Sequence, residues 1–183
     1  MNHPDMKNTT DIHLRPAEKE DAGVIWEILR DAIFRRRNEG SEQWQNGYPN
    51  PEVIRQDIDH RYGYVAIDPA GHILGYLSLS FDGEPAYEIE GVNWISDRPY
   101  GVVHRLAVSR NHPGKGIGTG MMLAVEQICI DHQIYSIKID TNFDNLSMLR
   151  ILEKLNFQYC GEVWINGASR KAFEKRLDKG KRV

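Results

Sequence analysis

The 183-residue sequence is poor in cysteine, nearly balanced in charge and without a long apolar run. Each shortage excludes a class of protein. Two cysteines, Cys129 and Cys160, cannot build a disulfide framework; Cys129 falls on the apolar stripe of a predicted helix and reads as a packing residue. Lys and Arg number 23 against 26 Asp and Glu, a formal net charge of -3, and they form no dense basic face, so nucleic acid is not an expected partner. No hydrophobic stretch approaches membrane-spanning length, and the opening MNHPDMKNTTD has no signal-peptide core. The expected location is therefore cytoplasmic, with no membrane partner. His112, Asp131 and His132 lack metal-ligand spacing, and no metal is expected. There is neither an internal repeat nor a low-complexity tract. A chain of this length suits one domain, predicted over residues 11–178, with 1–10 and 179–183 as loose ends.

What the sequence does have is a concentration of glycine. HRLAVSRNHPGKGIGTG, His104 to Gly120, runs from an apolar strand (Val102 to Val108) through a polar turn into Gly114, Gly116, Gly118 and Gly120. Ile117, Met121, Met122, Val125, Ile128 and Cys129 then recur at helical spacing. A glycine-rich turn opening a helix exposes backbone N–H groups at the positive pole of the helix dipole, which suits a phosphate. A P-loop is excluded because Lys115 is followed by Gly116 rather than Ser or Thr. A dinucleotide fingerprint also fails: its third glycine would fall on Thr119 or Met121, although Asp140 ends the next strand at a suitable distance.

The remainder reads as alternating elements. Ile12 and Leu14 suggest a strand over Asp11 to Arg15. Ala22, Ile25, Trp26, Leu29, Ala32 and Ile33 mark a helix to about Arg37. The run Arg35, Arg36, Arg37 reads as a solvated helix end or as charge for a ligand. Gly40 to Pro51 is a polar loop whose Trp44 and Tyr48 either line a ligand site or cap the core. A second helix is predicted from Pro51 to about His60, strands at Tyr64 to Ile67 and Ile73 to Phe81, and an extended piece at Tyr87 to Val92. That piece would set Glu88 and Glu90 on one face, to hold or deprotonate an amine or simply to meet solvent. A strand at Ile134 to Ile139, a helix from Asn145 to Asn156 and a hairpin turning at Asn166-Gly167 close the chain.

Two motifs together carry a family resemblance. LAVSRNHPGKGIG resembles the acetyl-CoA signature of the GNAT N-acetyltransferases, with Leu106, Ala107 and Val108 as the strand triplet and Gly116 and Gly118 as the small residues. Pro113 stands where the family has Arg or Gln, and it lacks an N–H. The second motif is Asn145 followed by Leu152, Glu153, Lys154, Leu155, Asn156 and Phe157, in a frame where the family has Asn, Tyr and Glu-Lys-Leu-Gly-Phe. The resemblance spans Ile12 to about Leu177. It implies an α/β fold with a mixed, mostly antiparallel sheet flanked by helices and a splayed central strand at the coenzyme.

It also implies acetyl transfer from acetyl-CoA to a primary amine of a small molecule or peptide, by direct attack in a ternary complex. On that reading Leu106, Ala107, Val108, Pro113, Gly114, Lys115, Gly116, Ile117, Gly118, Thr119, Gly120, Asn145 and Leu152 contact the coenzyme. The Val108 N–H is the oxyanion donor, and Trp44, Tyr48 and Glu88 lie on the acceptor side. His104 on the central strand and Glu90 are the candidate bases, although a strand histidine can also be structural. With Leu152 in place of the family's tyrosine, the departing thiolate would be protonated by water or by a side chain such as Tyr135, or leave unprotonated. Glu84, Glu88 and Glu90 hint at a cationic acceptor. A coenzyme sensor with little catalysis is the alternative function, a dinucleotide oxidoreductase a third, and a homodimer through the final hairpin would be in keeping with the superfamily.

Overall fold

The computed structural model describes residues 12–89, 91–112 and 116–178. The expectations for the two chain ends, for Glu90 and for Pro113, Gly114 and Lys115 lie outside the described residues. Seven strands form one sheet: β1 (His13–Pro16), β2 (Gly63–Ile67), β3 (Ile73–Ser80), β4 (Gly101–Val108), β5 (Ser136–Thr141), β6 (Gln158–Ile165) and β7 (Ala168–Arg176). Their spatial order is β1-β2-β3-β4-β5-β7-β6. Every neighbouring pair is antiparallel except β4 and β5. Among the described residues four α-helices pack on the sheet: α1 (Ala22–Asn38), α2 (Pro51–Asp59), α3 (Ile117–Asp131) and α4 (Leu146–Lys154). None of these helices is long and apolar enough to cross a membrane.

Helices cover both sheet faces because both faces are apolar. Ile25, Ile28, Leu29 and Ala32 of α1, with Ile54 of α2, pack on Val65, Tyr76 and Ala107. Met121, Met122, Val125 and Cys129 of α3 and Met148 and Leu152 of α4 pack on the other face, against Leu77, Val103 and Ile137. α3 lies close to the sheet: a Cβ on Gly75 of β3 would sit 2.9 Å from the Ala107 carbonyl oxygen and 2.7 Å from Met121 Sδ, so only glycine fits. The helix starts follow the sequence. Asn50 Oδ1 accepts from the Val53 N–H (3.1 Å) ahead of Pro51. Asn145 Oδ1 accepts from the Met148 N–H (3.2 Å).

Two features of β4 open a site. Its pairing with β3 jumps from Tyr76↔Ala107 to Ser78↔His104, so three steps of β4 face two of β3. The extra residue is absorbed at Arg105, whose φ is +58°, a left-handed conformation that one type of bulge uses. On the other side, β4 and β5 pair only at Gly101↔Ile137 and Val102↔Lys138. Beyond Val102 the two parallel strands part, giving the splayed central strand.

The expected strand at Tyr87 to Val92 is not formed. Pro85–Tyr87 is a single 3-10 turn, with the Glu84 carboxylate accepting from the Ala86 N–H at 3.3 Å. Proline fixes φ and the Glu84 cap ends extended structure there, so Glu88 lies on no strand face. β5 also begins later than its apolar run suggests, because the Ile134 N–H bonds the Cys129 carbonyl (2.8 Å) and stays with the end of α3. The Arg35–Arg37 run is not a uniformly solvated end: Arg36 is buried and bonds Ser41 Oγ (2.8 Å) and Asp144 (2.6 Å), and it pairs with Glu39.

Candidate active site

The parting of β4 from β5 produces two connected spaces. The first is a groove of about 430 Å³ between the C-terminal half of β4, the start of α3 and the start of α4. Ser109 donates its N–H to the Leu74 carbonyl (2.8 Å). Successive N–H groups of an antiparallel strand point to opposite edges, so the Val108 N–H points away from β3, toward the side that β5 has left. At the groove's far end Gly116, with φ +68°, precedes the first residue of α3. The left-handed turn favours glycine, and the first N–H groups of α3 have no partner within the helix. Gly118 is small because a Cβ there would lie 2.9 Å from Ile151 Cδ1 on α4. Arg35 and Arg110 add positive charge along the groove; Arg110 also pairs with Asp31 (3.1 Å).

The second space is a polar chamber of about 50 Å³ between residues 103–106 of β4 and 139–141 of β5, closed by Tyr48 and by Arg170 of β7. Trp44, Gln43, Leu106, Asn145 and Met148 line both spaces, so the chamber is where the groove ends. His104 Nε2 lies 3.1 Å from Glu84 Oε2, and its Nδ1 is 3.8 Å from Asp140 Oδ1. The hydrogen bond with His104 holds the Glu84 carboxyl below the usual carboxylate range. Asp140, its side chain 1% exposed, accepts from Tyr87 Oη (2.6 Å) and from Arg170 Nη1 (3.2 Å). Burial, and then the Asp140 charge, keep the Tyr87 hydroxyl well above the usual phenol range, so it remains a donor.

On the α1–α2 side, Arg105 makes two bonds to the buried Asp57 carboxylate (2.9 and 2.6 Å) and donates to Tyr48 Oη. Tyr76 Oη gives Asp57 another (2.6 Å). Asp57 of α2 is therefore joined to the bulge residue, and through Arg105 to Tyr48.

Most of the residues singled out in the sequence converge here. Leu106, Ala107, Val108, Gly116, Ile117, Gly118, Thr119 and Asn145 line the groove. Trp44, Tyr48 and His104 line the chamber. Four do not reach either space: Leu152, Gly120, Glu88 and Tyr135. Leu152 is fully buried in the core, because α4 turns Leu152 inward and Ser147 and Ile151 toward the groove. Gly120 faces Ile12, whose Cδ1 would be 2.6 Å from an added Cβ. Glu88 is exposed and accepts from Tyr100 Oη (2.7 Å). Tyr135 packs at the edge of the core instead of lining the chamber. Sequence reasoning did not reach Asp57, Arg105, Tyr87 and Arg170 as site residues, and placed Asp140 only as a dinucleotide ligand. Their signal was a polar residue inside or at the end of a strand, which many surface positions share.

The sequence profile of the Acetyltransferase (GNAT) family matches residues 24–157, which include the whole of β4, the α3 turn and α4. The chain belongs to this family. The GNAT acetyltransferase shares its fold closely with solved relatives. A GNAT family acetyltransferase of Streptococcus agalactiae superposes with a TM-score of 0.83 at 29% identity, over 92% of this chain and 96% of that one. A GNAT phosphinothricin acetyltransferase of Sinorhizobium meliloti, in complex with acetyl-CoA, gives 0.68 at 17% identity, over 93% and 90%. The yncA protein of Salmonella typhimurium, with its cofactor acetyl-CoA, gives 0.66 at 15%, over 94% and 97%. No curated protein matches the chain in sequence. Among the described residues, no group of three or more His, Cys, Asp or Glu is placed to hold a metal ion.

Proposed function

We propose that this acetyltransferase moves the acetyl group of acetyl-CoA to a primary amine by direct attack within a ternary complex. The observation that carries the reading is the separation of β4 from β5 after Val102: it leaves backbone groups of β4 unpaired along a groove that ends in a chamber of titratable side chains. The groove fits the coenzyme. The α3 N-terminus behind Gly116, with Arg35 and Arg110 near it, suits the pyrophosphate. The free edge of β4 offers partners to the pantetheine amides, which need them once buried. Asn145 caps α4 through Oδ1 and keeps its Nδ2, 3.3 Å from Gln43 Oε1, at the junction of groove and chamber, where it can hold the same arm.

Acetyl-CoA supplies an acyl group already activated as a thioester. The Val108 N–H polarises the acyl oxygen and receives the negative charge that develops there. The amine enters from the chamber between Trp44 and Tyr48, its nitrogen toward His104. His104 accepts the amine proton, directly or through one water, while the C–N bond forms and the C–S bond breaks; Glu84 orients the ring and balances its charge. The thiolate leaves as such or takes a proton from solvent, since an ordinary thiol pKa is about 8.5. The chamber's titratable groups support turnover over bare coenzyme sensing. The test is release of free coenzyme thiol when the protein is mixed with acetyl-CoA and a panel of primary amines. Amine-dependent release, with the N-acetyl product seen by mass spectrometry, is expected. Binding of acetyl-CoA without release for any amine would overturn the proposal.

A further inference from the structure

The two guanidinium groups of the chamber are in different states. Arg105 is engaged through all three of its nitrogens: Nε and Nη2 meet the two oxygens of Asp57, and Nη1 meets Tyr48. Arg170 is not. Its one ion pair among the described residues runs from Nη1 to Asp140 Oδ2 at 3.2 Å, and its Nε is buried without a hydrogen-bond partner. The guanidinium edge that includes Nε is one that can grip a carboxylate bidentately. Asp140 cannot turn to serve that edge, because its Oδ1 is held by Tyr87 (2.6 Å) and lies 3.8 Å from His104 Nδ1. Thr141, beside Asp140 on β5, also lines the chamber, and its Oγ1 is buried without a partner. A buried Nε–H with no acceptor and a buried hydroxyl with no bond are both costly unless something completes them.

From these unpartnered groups we infer that the acceptor amine carries a carboxylate, and that Arg170, with the Thr141 hydroxyl, binds it. The substrate class is then amino acids rather than simple alkylamines or polyamines. The arrangement gives the acceptor a direction. Its carboxylate lies on the β7 side at Arg170, and its nitrogen on the β4 side at His104, facing the end of the groove. The inference rests on the acetyltransferase reading above.

The experiment compares kcat/KM for free α- and ω-amino acids with their carboxamides, which keep size and amine but lose the charge, in the wild-type protein and in Arg170→Gln and Arg170→Lys. Acetyl-CoA binding is measured on the same samples. The acids are expected to be favoured over the amides by roughly 10–100-fold, the range for a charged hydrogen-bonded contact. In Arg170→Gln that ratio should collapse toward one, with Arg170→Lys between the two. A purely structural role for Arg170 would lower acid and amide together and leave the ratio intact, and would overturn the inference. Preference for the amides, or acetyl-CoA binding with no amino acid acetylated, would overturn it as well while leaving the acetyltransferase fold and coenzyme site standing. Loss of acetyl-CoA binding by the wild-type protein would instead overturn the proposed function beneath it.

Discussion

Replacing His104 with alanine is expected to lower kcat by about 10²–10⁴-fold, the usual contribution of a positioned general base, without weakening acetyl-CoA binding. His104 lines the chamber and not the groove, so the two effects should separate. An amine must shed a proton to become an amide. His104 is hydrogen-bonded to Glu84 at 3.1 Å, with Asp140 3.8 Å from its other ring nitrogen, on the same strand as Val108, the proposed acyl-oxygen donor. The hydrogen bond with Glu84 fixes the ring through Nε2, and the bulge at Arg105 sets its place along β4. In the alanine variant the part of the kcat pH profile that reports this proton transfer should flatten. A variant that keeps full kcat and an unchanged profile would show that solvent alone takes the proton.

Asp57→Ala should carry the largest cost in stability, about 3–5 kcal/mol, as when one partner of a buried ion pair is removed. Asp57 is 4% exposed and receives bonds from Arg105 and Tyr76. Without it the Arg105 charge stays buried with only Tyr48 for company, and Tyr76 keeps a hydroxyl with no acceptor. Urea unfolding followed by circular dichroism measures the loss as a lower midpoint at unchanged slope. A shift worth less than about 1 kcal/mol would mean that water reaches Arg105 and that the cluster does not hold the bulge. Through Arg105 the same carboxylate joins α2, the bulge of β4 and Tyr48, so its loss should disturb the affinity for the proposed acceptor as well as folding.

What could be read in advance depended on how local the signal was. The glycines at 116 and 118, the Asn145 cap, the left-handed Asn156 stop (φ +59°) and the Asn166-Gly167 turn (φ +51° and +80°) each express their chemistry within a few residues, and each was legible. The mixed sheet and its splayed strand followed from the resemblance those motifs carry. Of the chamber only Trp44, Tyr48 and His104 were legible; how its side chains pair was not. Its polar contacts join residues 20, 30 and 53 positions apart: Glu84 with His104, Arg170 with Asp140, and Tyr87 with Asp140. No local pattern encodes such pairings, because they exist only once β4, β5 and β7 lie side by side. The strand expected at Tyr87 failed for a related reason. Tyr87 and Ile89 alternate with glutamates as a strand would, but Pro85 and the Glu84 cap set a turn, and burial of Tyr87 against Asp140 holds it. Leu152 shows the limit of a motif: the frame of α4 is kept, yet an apolar side chain at that position belongs to the core.

The central claim is that the space opened between β4 and β5 beyond Val102 is an acetyl-CoA site. Calorimetric titration of the full chain with acetyl-CoA, with NADH as the control, tests it most directly. The account predicts saturable one-to-one binding of acetyl-CoA at micromolar concentration and no heat with NADH. No binding of acetyl-CoA, or binding of NADH in its place, would contradict it.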